Sequence, residues 1–256
     1  MSGETVRLAR EERSAWLTID RPPLNVLDLA TIERLYEALG ECARDPSVLV
    51  VVLRAAGERA FSAGVDVADH APERVPAMLE AFHRVIRLLW TWDRVSISAV
   101  QAPALGGGCE LALSCDLVFA ATGVEFATPE IDVGCFPPVA LAAWPRRIGR
   151  ARAADFLLTG RRFPAAEALA AGLLTRVVRR EGLDAAVREC REALLAKSPA
   201  VLRIALKAMR EAERLEFPEA LARAEEVYRT ALLATEDCRE GIAAFRAKRA
   251  PVWRGR

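Results

Sequence analysis

Three consecutive glycines, Gly106–Gly108, constrain this chain more than any other stretch. They follow the β-rich run Ser96–Val100, and Glu110 stands in the apolar segment behind them. A second apolar run, Leu117–Ala121, comes next, so the pattern predicts strand, glycine turn, short buried helix and strand. Glycines let the backbone approach a ligand closely and leave free N–H groups where a helix begins. A carboxylate buried in such a helix needs a partner, a proton or a chemical role.

The bulk composition indicates a single large domain or one domain with a helical appendage. The 256 residues include 36 Lys and Arg against 35 Asp and Glu. That balance argues against a dedicated nucleic-acid-binding protein, which usually carries a basic excess. The first residues contain acidic side chains and no apolar core, and no long uncharged apolar window follows. We therefore expect no signal peptide, no membrane span and a cytoplasmic location.

The cysteines and histidines argue against a metal centre or a disulfide framework. None of the six cysteines forms a C-x-x-C pair, and the two histidines are too few for a His-rich site. We expect reduced thiols in a cytosolic core, with no metal and no separate cofactor. The six are Cys42, Cys109, Cys115, Cys135, Cys190 and Cys238.

Hydrophobic periodicity predicts an α/β fold in which strands and helices alternate over the first part of the chain. Asp28 is the expected N-cap of the first helix, and Pro137 with Pro138 fits the start of a later one. Pro145 is expected to end or kink that later helix near Trp144. The other predicted elements are a hairpin of 6–10 and 15–20, strands at 49–53, 96–100, 117–121, 125–127 and 174–178, and helices at 74–92, 151–159 and 164–171.

From Leu183 onward almost every residue fits a helical pattern, with helices near 183–196, 199–213, 218–234 and 236–249. This change predicts a boundary near Gly182. The first part, 1–182, would hold the active site. The second part, 183–256, would serve oligomerisation and closure over a ligand.

Two glycine segments and two glutamates suggest proton-transfer chemistry. Backbone N–H groups near Gly64 and Gly107 would form an oxyanion hole if they converged on one oxygen. Glu110 and Glu130 each follow such a turn and could form an acid/base pair. Like charges held close cannot both ionise easily, so one would carry a proton near neutral pH. An acid, a base and an oxyanion hole suit proton transfer at carbon beside a carbonyl.

Each feature also has a structural interpretation. The glycine run would serve equally as a close-packed turn, and Glu130 after Pro129 as a helix-start carboxylate. Asp66 fits a turn residue better than a catalytic one. Cys109 has no histidine base nearby in sequence, which argues against a nucleophilic role. The glycine run is neither a P-loop nor a Rossmann fingerprint, because the residues that those motifs require do not follow it.

Taken together, the segments resemble the crotonase, or enoyl-CoA hydratase/isomerase, superfamily. Any one of them is weak, but their order along most of the chain is highly specific. The matching pieces are 21–25 (RPPLN), 60–66 (AFSAGVD), 104–111 (ALGGGCEL), 115–116 (CD), 126–130 (FATPE), 158–160 (LTG), 171–173 (AGL), 240–241 (EG) and 245–249 (FRAKR).

The resemblance implies a superhelix of ββα units with a C-terminal helical trimerisation region. It implies an acyl-CoA thioester as substrate, with coenzyme A as part of that substrate and no further cofactor. It also implies a homotrimer or a hexamer. The oxyanion hole falls on the N–H groups of Val65 and Gly107. The adenine end of CoA would lie along Ala63 and Val65 beside Asp66, and Phe245 and Lys248 match positions that close over the CoA of a neighbouring subunit.

Family hydratases carry both glutamates, which implies Glu110 as the base that activates water and Glu130 as the acid that protonates the α-carbon. Two departures stand out. Ala68 replaces a lysine that often contacts a CoA phosphate, and Pro138 replaces a glycine whose N–H can help to hold the catalytic water. The Pro-Pro run, together with 21–28 (RPPLNVLD) and 62–70 (SAGVDVADH), is similar to the branch that hydrates alicyclic dienoyl-CoA thioesters such as cyclohexa-1,5-diene-1-carbonyl-CoA.

The leading hypothesis is therefore a hydro-lyase that adds water to a conjugated enoyl-CoA or dienoyl-CoA. Pro138 keeps a second hypothesis open, an enoyl-CoA isomerase or a ring-opening hydrolase of the same superfamily. A third, of another class, is a non-catalytic RNA- or protein-binding homologue, which the near-neutral charge disfavours.

Overall fold

A six-stranded sheet forms the centre of the structure, a computed structural model that describes residues 4–256. The first two strands form an antiparallel hairpin, and every other neighbouring pair is parallel. With strands numbered along the chain, the spatial order is β1 (Val6–Glu11), β2 (Ser14–Ile19), β3 (Val50–Ala55), β4 (Val95–Val100), β6 (Leu117–Ala121) and β9 (Arg176–Val178).

A smaller three-stranded sheet lies beside the carboxyl end of β4. It consists of β5 (Ala104–Leu105), β7 (Glu125–Ala127) and β8 (Phe163–Pro164), in which β5 and β7 are parallel and β7 and β8 are antiparallel. The strand β5 runs directly into the glycine segment. This sheet therefore carries the glycine turn and the chain that leads to Glu130.

Ten α-helices accompany the sheets within residues 4–256. They are α1 (Leu29–Arg44), α2 (Val75–Thr91), α3 (Gly107–Leu113), α4 (Pro138–Ile148), α5 (Arg150–Thr159), α6 (Ala165–Ala171), α7 (Leu183–Leu195), α8 (Pro199–Ala212), α9 (Phe217–Val227) and α10 (Glu236–Arg246). Short 3₁₀ turns occupy Val67–His70, Pro129–Val133 and Arg180–Gly182, and a π-helical turn, Tyr228–Leu232, extends α9. No helix among residues 4–256 is long and apolar enough to cross a membrane.

Local sequence explains why the central elements form. The run Val50–Leu53 is buried residue after residue, as expected for a parallel strand covered on both faces. The side chain of Asp28 accepts a hydrogen bond from Thr31 N at 2.9 Å and caps α1, which confirms its predicted role. The hairpin is confirmed, and the strands at 117–121 and 125–127 have the predicted bounds.

Several predicted boundaries differ from the structure by two residues or more, and two of them have a local explanation. The helix α4 does not end near Trp144 but continues through Pro145 to Ile148, so only a kink at Pro145 stays a prediction. Proline lacks the N–H that would donate to the carbonyl four residues earlier, that of Leu141, so the helix continues with one hydrogen bond fewer near its end. The strand β9 begins at Arg176 rather than Leu174. The reason is that Val118 N donates to the Thr175 hydroxyl instead of a strand carbonyl.

The helices after Gly182 differ in how they pack. The helix α7 contributes Leu183, Val187 and Leu195 to the buried core. The later helices leave large apolar side chains in solvent, such as Phe217 at 77% and Phe245 at 86% exposure. The division of the chain at Gly182 stays a prediction.

Candidate active site

The fold brings the two glycine turns into direct contact. A Cβ on Gly64, whose φ is +102°, would lie 3.0 Å from Leu105 O and 3.4 Å from Gly107 N. A Cβ on Gly107 would lie 2.8 Å from Val65 Cγ2 and 3.5 Å from Val65 N. Only glycine allows backbones this close. The turns that follow β3 and β4 therefore share one surface.

Backbone hydrogen bonds hold the two turns together. Phe61 N donates to Pro103 O at 2.9 Å, and Leu105 N donates to Ser62 O at 2.9 Å. A Cβ on Gly108 would lie only 2.6 Å from Ser62 Cβ. The close-packed interpretation of the glycine run is thus correct for Gly108, alongside any role in binding.

The loop that precedes α1 supports the first turn from the other side. The Asn25 side-chain amide donates to Ala60 O at 2.9 Å, and Leu27 N donates to Gly64 O at 2.8 Å. Asp66 N donates in turn to Leu27 O at 3.1 Å. These bonds engage the backbone on both sides of Val65. The family resemblance included this loop (21–25), but the sequence did not show that the loop hydrogen-bonds to the glycine turn.

Two backbone N–H groups remain without an acceptor where the turns meet. Within residues 4–256, neither Val65 N–H nor Gly107 N–H donates to any protein group. Gly107 is the first residue of α3, so its N–H has no intrahelical acceptor. Two neighbouring free donors can stabilise one oxygen that gains negative charge. The structure brings together the two residues that the sequence singled out for this purpose.

Glu110 lies on α3 and is 4% exposed. Its Oε1 accepts a hydrogen bond from Ala140 N, in the first turn of α4, at 2.9 Å. Burial raises the pKa of Glu110 to about 8, an effect that the Ala140 N–H opposes and the charge of Glu130 reinforces. The carboxyl is therefore held in place and exchanges its proton near neutral pH.

Glu130 lies in the 3₁₀ turn Pro129–Val133, next to the glycine segment. Its Oε1 would be 2.8 Å from a Cβ on Gly106, so the carboxyl packs against glycine backbone. Its Oε2 is buried and has no hydrogen-bond partner within residues 4–256. Burial raises the pKa of Glu130, although its own backbone N–H and the charge of His70 oppose the rise. An unpaired buried carboxyl oxygen is ready to bind a ligand or water.

The residues assigned to CoA fall into two groups. Ala63, Val65 and Asp66 lie on the first glycine turn, and Asp66 Oδ1 accepts from Ala68 N at 3.0 Å as a cap of the 3₁₀ turn. Phe245, at the end of α10, is 86% exposed, and Lys248 just beyond it is also exposed. The two groups belong to distant segments, and no hydrogen bond or ion pair joins them within residues 4–256.

The structure adds three residues that sequence reasoning did not place at the site. Phe82 of α2 packs against the glycine turn, with Cζ 3.4 Å from a Cβ on Gly107. Ala140 holds Glu110 through its backbone, which no side-chain pattern could indicate. His70 acts on Glu130 through its charge. Its sequence signal was its place at the end of the segment 62–70, which resembles the alicyclic dienoyl-CoA branch. No group of three or more His, Cys, Asp or Glu side chains within residues 4–256 is arranged to hold a metal ion.

The site thus combines two free N–H donors with a buried carboxyl, Glu110, and a partly buried one, Glu130. The sequence model of the enoyl-CoA hydratase/isomerase family matches residues 10–256. The chain belongs to this family, the crotonase superfamily, and is an enzyme of the hydro-lyase class. The resemblance found in the sequence is confirmed.

Individual relatives match over nearly their whole length. The chain is 34% identical to a cyclohexa-1,5-dienecarbonyl-CoA hydratase of Thauera aromatica, over 98% of this chain and 96% of the relative. It is 33% identical to a carnitinyl-CoA dehydratase of Salmonella typhi, with 99% of each covered. The crystal structure of an enoyl-CoA hydratase from Bacillus anthracis superposes with a TM-score of 0.93 at 28% identity, covering 99% of this chain and 100% of that one.

Proposed function

We propose that this enzyme adds water to a conjugated enoyl-CoA or alicyclic dienoyl-CoA thioester. The N–H groups of Val65 and Gly107 bind the thioester oxygen as it gains enolate charge. Glu110 takes a proton from water, whose oxygen bonds to the electrophilic carbon of the conjugated system. Glu130 gives its proton to the α-carbon as the enolate collapses.

The observation that carries this proposal is that a buried carboxyl, Glu110, and a partly buried one, Glu130, accompany two free N–H donors. Burial raises the pKa of both carboxyls, and the charge of Glu130 adds to the rise at Glu110. A pair that holds one proton serves both directions of the reaction. Hydration needs Glu110 ionised and Glu130 protonated, and elimination of water needs the reverse.

The first turn of α4 begins with a proline, yet it still provides backbone hydrogen bonds that favour the ionised, basic form of Glu110. Pro138 has no N–H, but the next two residues, Val139 and Ala140, direct backbone N–H groups at the Glu110 carboxyl. Hydrogen bonds of this kind favour the ionised form. Pro138 therefore removes one donor near the water while its neighbours still orient the base.

The experiment is to replace each glutamate singly by glutamine. Glu110→Gln and Glu130→Gln should each lower kcat by about 10²–10⁴, the usual contribution of a general acid or base. The affinity for a saturated acyl-CoA, measured by calorimetry, should change little because the N–H donors are backbone groups. Glu80→Gln, on the exposed face of α2, is the matched control and should keep wild-type activity. Wild-type rates in both active-site variants would refute the mechanism.

The substrate is tested by offering crotonyl-CoA and cyclohexa-1,5-diene-1-carbonyl-CoA side by side, with mass detection of the products. A gain of one water on the diene alone would place the enzyme in the alicyclic branch, in line with the name of the Thauera aromatica relative. Fast hydration of crotonyl-CoA would indicate a general short-chain hydratase. A product of unchanged mass would indicate an isomerase, and a new carboxylate a ring-opening hydrolase.

We further propose that the enzyme acts in the cytoplasm as a homotrimer or a dimer of trimers. The apolar side chains that α8–α10 expose would be buried between subunits, and six unpaired cysteines suit a reducing compartment. In that assembly Phe245 and Lys248 of one subunit would close over the CoA of its neighbour. Sedimentation of the purified protein as a monomer would refute the oligomer.

A further inference from the structure

The Val65 N–H donor is held by a neighbouring loop rather than by a helix or a strand. Val65 lies outside the regular elements and forms an isolated parallel bridge with Leu27. Leu27 N donates to Gly64 O at 2.8 Å, and Asp66 N donates to Leu27 O at 3.1 Å. Both bonds that flank Val65 thus come from one residue of the loop before α1. The position of this donor therefore depends on where that loop lies.

The side chain of Asn25 attaches the same loop to the connection that leads from β3 to the glycine turn. Asn25 is 2% exposed. Its amide nitrogen donates to Ala56 O and to Ala60 O, each at 2.9 Å. Its Oδ1 accepts from Arg21 N, also at 2.9 Å. One buried amide group therefore closes its own loop and joins that loop to the connection at two points.

The position calls for the particular chemistry of asparagine. The backbone φ of Asn25 is +52°, in the left-handed region that asparagine tolerates better than most other residues with a side chain. Two carbonyl oxygens need donors there, and one backbone N–H needs an acceptor. The asparagine amide supplies two N–H donors and one carbonyl oxygen, whereas an ionised aspartate of the same size supplies no donor.

We propose that Asn25 is a positioning residue for the Val65 half of the oxyanion hole. The proposal rests on the proposed hydration of an enoyl-CoA. Without the Asn25 amide, the loop loses its attachment to Ala60 O, and the two bonds of Leu27 no longer fix the Val65 N–H relative to its partner donor. The Gly107 N–H belongs to α3 and keeps its place. The thioester oxygen then receives one well-placed hydrogen bond instead of two.

Infrared spectroscopy of a bound thioester tests the position of the donor directly. The probe is butyryl-CoA with a ¹³C-labelled thioester carbonyl, which has no double bond to hydrate. Hydrogen bonds polarise a carbonyl and lower its stretching frequency, so the bound probe should absorb below the free one. Asn25→Gly keeps the left-handed backbone but removes all three side-chain hydrogen bonds, and should move the band back toward the free probe. An unchanged band in this variant would overturn the proposal.

A second variant and a matched control accompany this measurement. Asn25→Asp keeps the size of the side chain and the acceptor for Arg21 N but loses both donors, so it should displace the band in the same direction. The control is Ser14→Ala, at the start of β2, on the edge of the sheet opposite to the glycine turns. The buried Ser14 hydroxyl donates to Glu11 O and accepts from Arg191 Nε, each at 2.7 Å. Its loss should lower stability without moving the band, and an equal displacement in this control would contradict a positioning role.

Kinetics measure the consequence for the reaction. Asn25→Gly should lower kcat about ten- to a hundredfold, the order of loss that a misplaced group causes. KM should change little, because the bond to the oxygen strengthens as the enolate charge develops. Ser14→Ala should keep the wild-type kcat per folded molecule. Wild-type kcat in both Asn25 variants would overturn the proposal.

The two levels of proposal fail differently. If the unmodified enzyme hydrates an enoyl-CoA while the Asn25 variants keep the wild-type band and kcat, only the role of Asn25 fails. If the unmodified enzyme binds butyryl-CoA but hydrates no enoyl-CoA, the proposed function fails, and the carbonyl band still decides whether Asn25 positions the donor. If it binds no acyl-CoA, both proposals fail.

Discussion

Replacing the buried Glu110 by glutamine should make the protein more stable while it removes activity. The folded chain holds this carboxyl with 4% exposure, where the charged form is penalised. Glutamine has nearly the same shape and keeps an oxygen that can accept from Ala140 N, but it never ionises. The difference in unfolding free energy between variant and wild type therefore measures the cost of keeping an ionisable group at this position.

The magnitude follows from the two pKa values of the group. Its ordinary value is 4.5, and burial raises it to about 8 in the folded chain. Between these values the folded state keeps a proton that the unfolded state releases, so stability falls as pH rises. The value pH 7 lies about two and a half units above the ordinary pKa. Each of these pH units lowers the free energy of unfolding by about 1.4 kcal/mol. The Glu110→Gln variant should gain up to about 3 kcal/mol there.

The assay is chemical and thermal unfolding of wild type and variant between pH 4.5 and pH 8.5, at one protein concentration because assembly also stabilises. At pH 7 the variant should melt about 6–12 °C higher, and the gain should nearly vanish near pH 4.5. Glu80→Gln, an exposed control, should show neither effect. A gain that does not grow with pH, or a loss of stability throughout, would refute the reasoning.

Three further outcomes are expected. Gly108→Ala places a Cβ 2.6 Å from Ser62 Cβ and should lower the free energy of unfolding by about 1–3 kcal/mol in urea, together with kcat/KM. Burial alone would raise the pKa of Asp237, but hydrogen bonds from a serine hydroxyl and two backbone N–H groups lower it overall. Asp237→Asn should therefore destabilise at pH 7, and the deficit should shrink as acid protonates the wild-type carboxylate. Finally, kcat should be bell-shaped in pH, because the Glu110–Glu130 pair works with one proton, and a flat profile would contradict that pairing.

Local sequence determined the elements and the family. The alternation of Val6–Glu11 and Ser14–Ile19, the apolar run Val50–Leu53 and the cap at Asp28 are signals carried by neighbouring residues. The glycine runs and the glutamates behind them were equally visible, because glycine and buried carboxyls are rare choices that few structures accommodate. These features sufficed for an α/β fold and for the enoyl-CoA hydratase/isomerase family.

Only the tertiary structure decided which of these groups act together. The free N–H groups of Val65 and Gly107 lie more than forty residues apart in the chain and meet because β3 and β4 are neighbours in the sheet. The Ala140 N–H reaches Glu110 because the first turn of α4 lies beside α3. Any residue type except proline can supply a backbone donor, so the sequence does not reveal which ones act. The burial that moves the pKa of Glu110 to about 8 has no local sequence signal either. A pattern of residues can name the chemical groups, but their distances and their exposure to water depend on contacts between segments that are far apart in sequence.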